Sequence, residues 1–322
     1  MKKTVINNDG GDDGASSWTL TADGGGDDLP IDGTGTPVTE ADLMATVGAA
    51  VTANVSYDLS ESGPAGYTAS SWTCTVDGGE AMMGLSSISL DSGQSAVCEI
   101  TNDDVAPELT LKKTVINNDG GDDGASSWTL TADGGGDDLP IDSTGTPVTE
   151  ADLMATVGAA VTANVSYDLS ESGPAGYTAS SWTCTVDGGE AMMGLSSISL
   201  DSGQSAVCEI TNDDVAPELT LKKTVINNDG GDDGASSWTL TADGGGDDLP
   251  IDSTGTPVTE ADLMATVGAA VTANVSYDLS ESGPAGYTAS SWTCTVDGGE
   301  AMMGLSSISL DSGQSAVCEI TN

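Results

Sequence analysis

No histidine and no arginine occur among the 322 residues, and six lysines stand against 51 aspartates and glutamates, for a formal net charge of −45. Phosphate backbones are gripped through cations, so nucleic acid is excluded as a partner. An anionic membrane surface is disfavoured on the same ground. The commonest general base is missing, and no cysteine stands near another base, so an enzyme is not expected. No signal peptide, anchor or apolar run of membrane-spanning length is present in the segment, which is expected to make no direct membrane contact. The acidity suits an extracellular protein. An apolar content of 37% with regular alternation sets the chain apart from disordered acidic sequences.

Self-comparison shows one unit copied three times. Lys3-Thr-Val-Ile recurs at Lys113 and Lys223, a period of 110 residues. Met1 stands where Leu111 and Leu221 stand, and Gly33 stands against Ser143 and Ser253; the copies otherwise agree. A unit of this size carries its own core. Three tandem domains are expected, 1–106, 107–216 and 217–322. The chain closes at Asn322, where the corresponding Asn212 continues into Asp-Asp-Val-Ala-Pro, as expected of a segment from a longer array.

All six lysines fall in one element, at Lys2 and Lys3, Lys112 and Lys113, and Lys222 and Lys223. Leu109–Asn117 alternates as a strand, with Leu111, Lys113 and Val115 on the apolar face and Lys112 on the solvated one. One lysine per repeat is therefore directed to where a charge is expensive. The two cysteines per repeat lie in strand-like stretches. Even numbers within each unit argue for intradomain bridges in an oxidising compartment, Cys74–Cys98, Cys184–Cys208 and Cys294–Cys318.

Along the middle repeat, an acidic glycine-rich turn (Asn117–Gly124) precedes a strand at Ser126–Ala132 that turns Trp128, Leu130 and Ala132 inward. A second acidic loop, Asp133–Asp138, follows. Pro140–Val148 is turn-rich, with an edge strand as the only regular element it suggests. Thr149–Val157 reads either as a short helix capped by Thr149 or as an irregular crossover. Val161–Glu171 is the longest alternating run, with Val161, Ala163, Val165, Tyr167, Leu169 and Glu171 on one face. Strands are expected at Tyr177–Val186, Ser197–Leu200 and Ser205–Asn212, the last placing Ala206, Cys208, Ile210 and Asn212 together. Met192-Met193 reads as core or edge filler. Asp213–Glu218 is a short proline-stiffened linker. Short strands separated by Gly, Pro and Asp turns mean an all-β chain, three tandem β-sandwiches of Ig-like or prealbumin-like type in a linear array.

Lys113, Glu171 and Asn212 are thus polar residues on apolar faces, and buried polar groups need partners. Burial lowers a lysine pKa toward the nucleophilic amine and raises a glutamate pKa, so that the acid can polarise an asparagine carboxamide. Attack with loss of ammonia gives a Lys–Asn isopeptide bond, made once. The alternative is an unreacted Lys–Glu ion pair.

The opening LTLKKT, the stretch Tyr167-Asp-Leu-Ser-Glu-Ser-Gly-Pro-Ala-Gly-Tyr177 and the closing Cys-Glu-Ile-Thr-Asn212 resemble the prealbumin-like, collagen-adhesin B-type (Cna B-type, SpaA-like) repeats of bacterial surface proteins. Tyr-x-Leu-x-Glu-x-x-x-Pro-x-Gly-Tyr is similar to that family's glutamate box, with the proline here one residue early. The resemblance implies a lysine of the first strand bonded to an asparagine of the last with a glutamate assisting. Position by position these are Lys3, Asn102 and Glu61, then Lys113, Asn212 and Glu171, then Lys223, Asn322 and Glu281.

The clustered aspartates are hard oxygen ligands suited to a structural Ca²⁺. Candidates are Asp9, Asp12, Asp13, Asp23, Asp27, Asp28, Asp103 and Asp104 in the first repeat. Asp119, Asp122, Asp123, Asp133, Asp137, Asp138, Asp213 and Asp214 follow in the second, and Asp229, Asp232, Asp233, Asp243, Asp247 and Asp248 in the third. Solvated turn aspartates explain any single loop equally well; a cation at the Asp213-Asp214 linker would stiffen the domain junction. Asn54, Asn164 and Asn274 head Asn-x-Ser sequons on the outer face. The leading function is a structural segment of an extracellular filament or cell-surface adhesin stalk whose partners are further copies of the repeat. A ligand-binding adhesin module and a fibre subunit polymerised by strand exchange are the alternatives.

Overall fold

The computed structural model describes residues 1–25, 29–32, 43–136, 146–147, 153–245, 256–257 and 263–322. Each repeat is a two-sheet sandwich, labelled here on the middle copy; the same labels serve the others, except that β3 of the first repeat is Leu29–Asp32 and the third repeat has no β6 among the described residues. The strands are β1 (Glu108–Ile116), β2 (Thr129–Asp133), β3 (Thr146–Pro147), β4 (Met154–Ala160), β5 (Ser166–Ser172), β6 (Tyr177–Ala179), β7 (Trp182–Val186), β8 (Met192–Leu195), β9 (Ser197–Ser199) and β10 (Ser205–Asp214). One sheet runs β4-β1-β10-β7-β8, with β6 pairing onto the far end of β10; the other runs β3-β2-β5-β9.

The first and last strands of a repeat are neighbours, and theirs is the one parallel pairing among the described residues of the sandwich, with Lys113 beside Ile210 and Val115 beside Asn212. Alternation sends Leu109, Leu111, Lys113 and Val115 between the sheets, where all four are buried, and leaves Lys112 at the surface paired with Glu209 at 3.1 Å. The register thereby settles which lysine is internal. Trp128, Leu130, Tyr167, Trp182, Leu200 and Ile210 are among the buried residues that complete one continuous core.

Several local expectations change. Alternation through Val161–Glu171 is not one strand: Asn164 adopts φ 61°, a left-handed conformation that asparagine tolerates, and the strand starts at Ser166. Val161 and Ala163 are buried even so. Tyr177–Val186 splits in two, because Ser180 N–H donates to Thr211 O and Thr211 N–H donates to Ser180 Oγ, so the chain steps between two parts of β10. Of the suggested helix, Met154–Val157 lies in strand β4 against β1, while Thr149 falls outside the described residues. Thr146–Pro147 forms the edge strand within Pro140–Val148. Ala125–Ser127 is a 3-10 turn ahead of β2. Met192–Leu195 is a strand in its own right, its Met193 turned to solvent and no part of the core. Asp213 and Asp214 belong to β10 and Glu218 opens the next β1, so the linker shrinks to Val215–Pro217.

The first repeat differs at one end. Its β1 spans Lys2–Ile6 and its β4 only Met44–Thr46. Its core falls into two clusters, and a cleft of about 360 Å³ lies beside Met1, Val51, Leu90 and Ala96.

Candidate functional site

Lys113 points from β1 into the sandwich with no exposed surface. Its Nζ donates to Glu171 Oε2 at 2.6 Å and to Asn212 Oδ1. Asn212 lies in the same sheet, on neighbouring β10, whereas Glu171 comes across from β5 of the opposite sheet. The other two copies repeat the arrangement. Lys3 meets Glu61 at 2.6 Å and Asn102 Oδ1; Lys223 meets Glu281, and Asn322 Oδ1 at 2.5 Å. Sequence parity alone had put these three residue types on inward faces, and the fold brings them to one point.

Two aromatic rings close the site. The Lys113 Nζ lies 4.6 Å from the Trp128 ring centroid, a distance at which the ring quadrupole attracts a cation. Tyr177 meets Trp128 edge to face at 5.1 Å. The Tyr177 hydroxyl donates to Asn117 Oδ1 and accepts from Asp123 N–H, tying the acidic turn to the site. The alternation placed Trp128 inward, but its position over the ammonium depends on how the two sheets face each other, which no local pattern encodes.

Burial pushes the Lys113 amine below its ordinary 10.5; the hydrogen bond and charge of Glu171 oppose the shift without cancelling it. The same direction holds at Lys3 and Lys223. A lysine so placed gives up its proton more readily than one in water, and its carboxylate neighbour is in position to take it. The Asn212 oxygen that Nζ touches is bonded to Cγ, the carbon an amine would attack. The arrangement has a nucleophile, a proton acceptor and an electrophile, all supplied by the protein itself.

The cysteine pairs form disulfides, Cys184 with Cys208 as direct partners across β7 and β10 at a Cα separation of 4.0 Å. Cys74–Cys98 and Cys294–Cys318 match them. On β10 the disulfide and the Lys–Asn contact sit four residues apart, so the strand is tied to a different neighbour by each.

The aspartates do other work. Asp214 is buried, and its carboxylate accepts from the backbone N–H groups of Asp119 and Gly121; Asp104 holds Asp9 and Gly11 in the same way. With its amide turned to donate, Asn118 reaches Asp213 and Asp214 at 2.8 and 2.9 Å. Asp23, Asp133 and Asp243 each accept from a glycine N–H two residues on. Among the described residues no three His, Cys, Asp or Glu side chains converge as a metal site. Asp27, Asp28, Asp137, Asp138, Asp247 and Asp248 lie outside the described residues. Of the sequon asparagines, Asn164 and Asn274 are exposed in turns, yet each amide donates to the preceding repeat, at Gly10 O and Gly120 O.

Comparison with known proteins is consistent along the whole chain. A SpaA-type family described as prealbumin-like fold domain matches residues 1–100, 104–210 and 214–320. Comparison with curated protein sequences gives no match. Among solved structures, the Bacillus anthracis TIE protein aligns with 100% of this chain and 50% of its own at 13% identity and TM-score 0.44, so the chain spans half that protein's length. The major pilin from Streptococcus pyogenes aligns with 68% of this chain and 98% of its own at 12% identity and TM-score 0.29. Two B repeat units of the collagen-binding protein of Staphylococcus aureus align with 99% and 74% at 16% identity and TM-score 0.26.

Proposed function

Because the chain belongs to the prealbumin-like fold domain family in all three of its repeats, we propose that it is a structural segment of a bacterial surface filament or adhesin stalk, each repeat closed by its own Lys–Asn isopeptide bond. The observation that carries this reading is the buried contact of Lys113 with both Glu171 and Asn212, reproduced in every copy. Near-identity of the copies supports it, since length is served by interchangeable units while recognition needs one site. The disulfides fit an oxidising, extracellular location.

The chemistry balances within the site. Glu171 takes a proton from the Lys113 ammonium, and the free Nζ attacks Asn212 Cγ. The Nζ–Cγ bond forms, Nζ gives up a second proton, and the Cγ–Nδ2 bond breaks; one lysine proton leaves with Nδ2 as ammonia and the other passes to solvent, returning Glu171 to its carboxylate form. Exclusion of water by Trp128 and Tyr177 keeps hydrolysis of the carboxamide from competing.

Intact mass of the reduced, alkylated chain tests the reading. The expected mass lies below that of the sequence by one ammonia per repeat, and Lys113→Ala restores one of the three. A mass equal to the unmodified sequence overturns the crosslink and leaves a buried ion pair.

A further inference from the structure

The two joints between repeats are built from the same contacts. At the first, Ala163 N–H donates to Asp9 O at 2.8 Å, Asn164 Nδ2 to Gly10 O at 3.0 Å, and Gly203 N–H to Val105 O at 2.7 Å. At the second, Ala273, Asn274 and Gly313 make the same bonds to Asp119, Gly120 and Val215, at 2.8, 3.0 and 2.7 Å. Ala163 and Ala273 are buried by the preceding repeat, whereas Ala53, with no repeat packed on it, is not.

The backbones also meet without side chains between them. A Cβ on Gly66 would lie 2.0 Å from Ser202 O, and one on Gly176 would lie 2.1 Å from Ser312 O. Both glycines have positive φ, 82° and 85°. Only glycine fits this approach. The docking loop on the preceding repeat is held from within: Asp104 grips the Asp9 and Gly11 amides and stands two residues beyond Asn102 on the same face of β10. The linker adds Val105 N–H to Gly66 O at 2.9 Å, and Pro107 stiffens it.

We propose that the two ends of each repeat form a self-complementary docking surface, whose partner is the next copy of the same repeat and whose fit depends on Gly66, Gly203 and Asn164 and their equivalents Gly176, Gly313 and Asn274. The inference rests on the stalk reading and says how the stalk is kept straight. One contact set at every joint gives one rotation at every joint, so the array is a rod of constant screw rather than beads on a string. Asn164 and Asn274 act as joint residues, because the nitrogen a glycan would occupy is the one that bonds the neighbouring repeat. Rigidity comes from direct contacts and needs no ion.

Small-angle X-ray scattering of the three-repeat chain tests this. The wild-type curve is expected to fit one elongated shape and to be unchanged by EDTA. Asn164→Gly with Asn274→Gly keeps the left-handed backbone while deleting both amide bonds, and Gly66→Val with Gly176→Val wedges both joints apart. Each double variant is expected to need an ensemble of bent shapes. Wild-type scattering that already needs such an ensemble, stiffening lost in EDTA, or variants that scatter as the wild type overturn the proposal. Intact mass measured on the same samples reads the crosslinks separately, so failure of the joint and failure of the isopeptide reading are told apart.

Discussion

Glu171 and Lys113 belong to opposite sheets, and their side chains meet at 2.6 Å across the core of the sandwich. Among the described residues the lysine has no other carboxylate partner. Glu171→Gln therefore removes both the proton acceptor and the countercharge. Ammonia loss is expected to fall from three per chain to two. The altered repeat should also lose on the order of 3 kcal/mol, the cost of a buried charge left without its partner. Intact mass and denaturant unfolding check the two outcomes.

With Asn102, Asn212 and Asn322 all changed to Ala, the lysines stay free amines and stability acquires a pH dependence with a fixed sign. Each folded amine titrates below 10.5, and the unfolded amine at 10.5. Below the folded value both states hold the proton and the burial penalty is complete. Between the two values the unfolded chain binds more protons, so stability rises with pH. Burial raises Tyr67 and Tyr177 above 10.0, which reverses the slope once unfolded tyrosine begins to ionise. Urea titrations across alkaline pH should show stability rising and then turning down for this variant, and the rising limb should be absent from the crosslinked parent.

Cys184 and Cys208 close a loop with a sequence separation of 24. Loop-closure entropy for that length is worth about 3.5 kcal/mol. Replacing both by Ser in the Asn212→Ala background should cost close to this amount. In the crosslinked parent the Lys113–Asn212 link encloses the same loop, and a smaller loss is expected. Unfolding of the two pairs of proteins gives the comparison directly.

Much of the fold and of the site was legible because side chains in strands alternate strictly. Parity put Lys113, Glu171, Asn212 and Cys208 inward without any knowledge of which strands pair. Parity failed where a residue left the strand conformation: Asn164 turns the chain left-handed inside an unbroken alternating run, and Ser180 with Ser181 interrupts another. It was silent on Trp128, whose place above the lysine is a relation between sheets. The aspartates were ambiguous for a different reason. A carboxylate that binds a cation and one that accepts two backbone N–H groups are the same residue in sequence, and only the path of the Asn117–Asp123 turn shows that Asp214 does the second.

The first and last strands of each repeat lie side by side although Lys113 and Asn212 are 99 residues apart. A ribosome adding about 10 residues per second delivers one repeat in roughly ten seconds. For nearly all of that time β1 has no β10 to pair with. Three near-identical β10 segments could in principle accept three near-identical β1 segments. Vectorial synthesis removes the choice, since each β10 leaves the ribosome while the next β1, only Val105–Pro107 or Val215–Pro217 behind it, is still enclosed in the exit tunnel. Refolding the complete chain from denaturant restores the choice. The order in which the polypeptide is born is thus part of what directs three interchangeable sequences to three separate sandwiches.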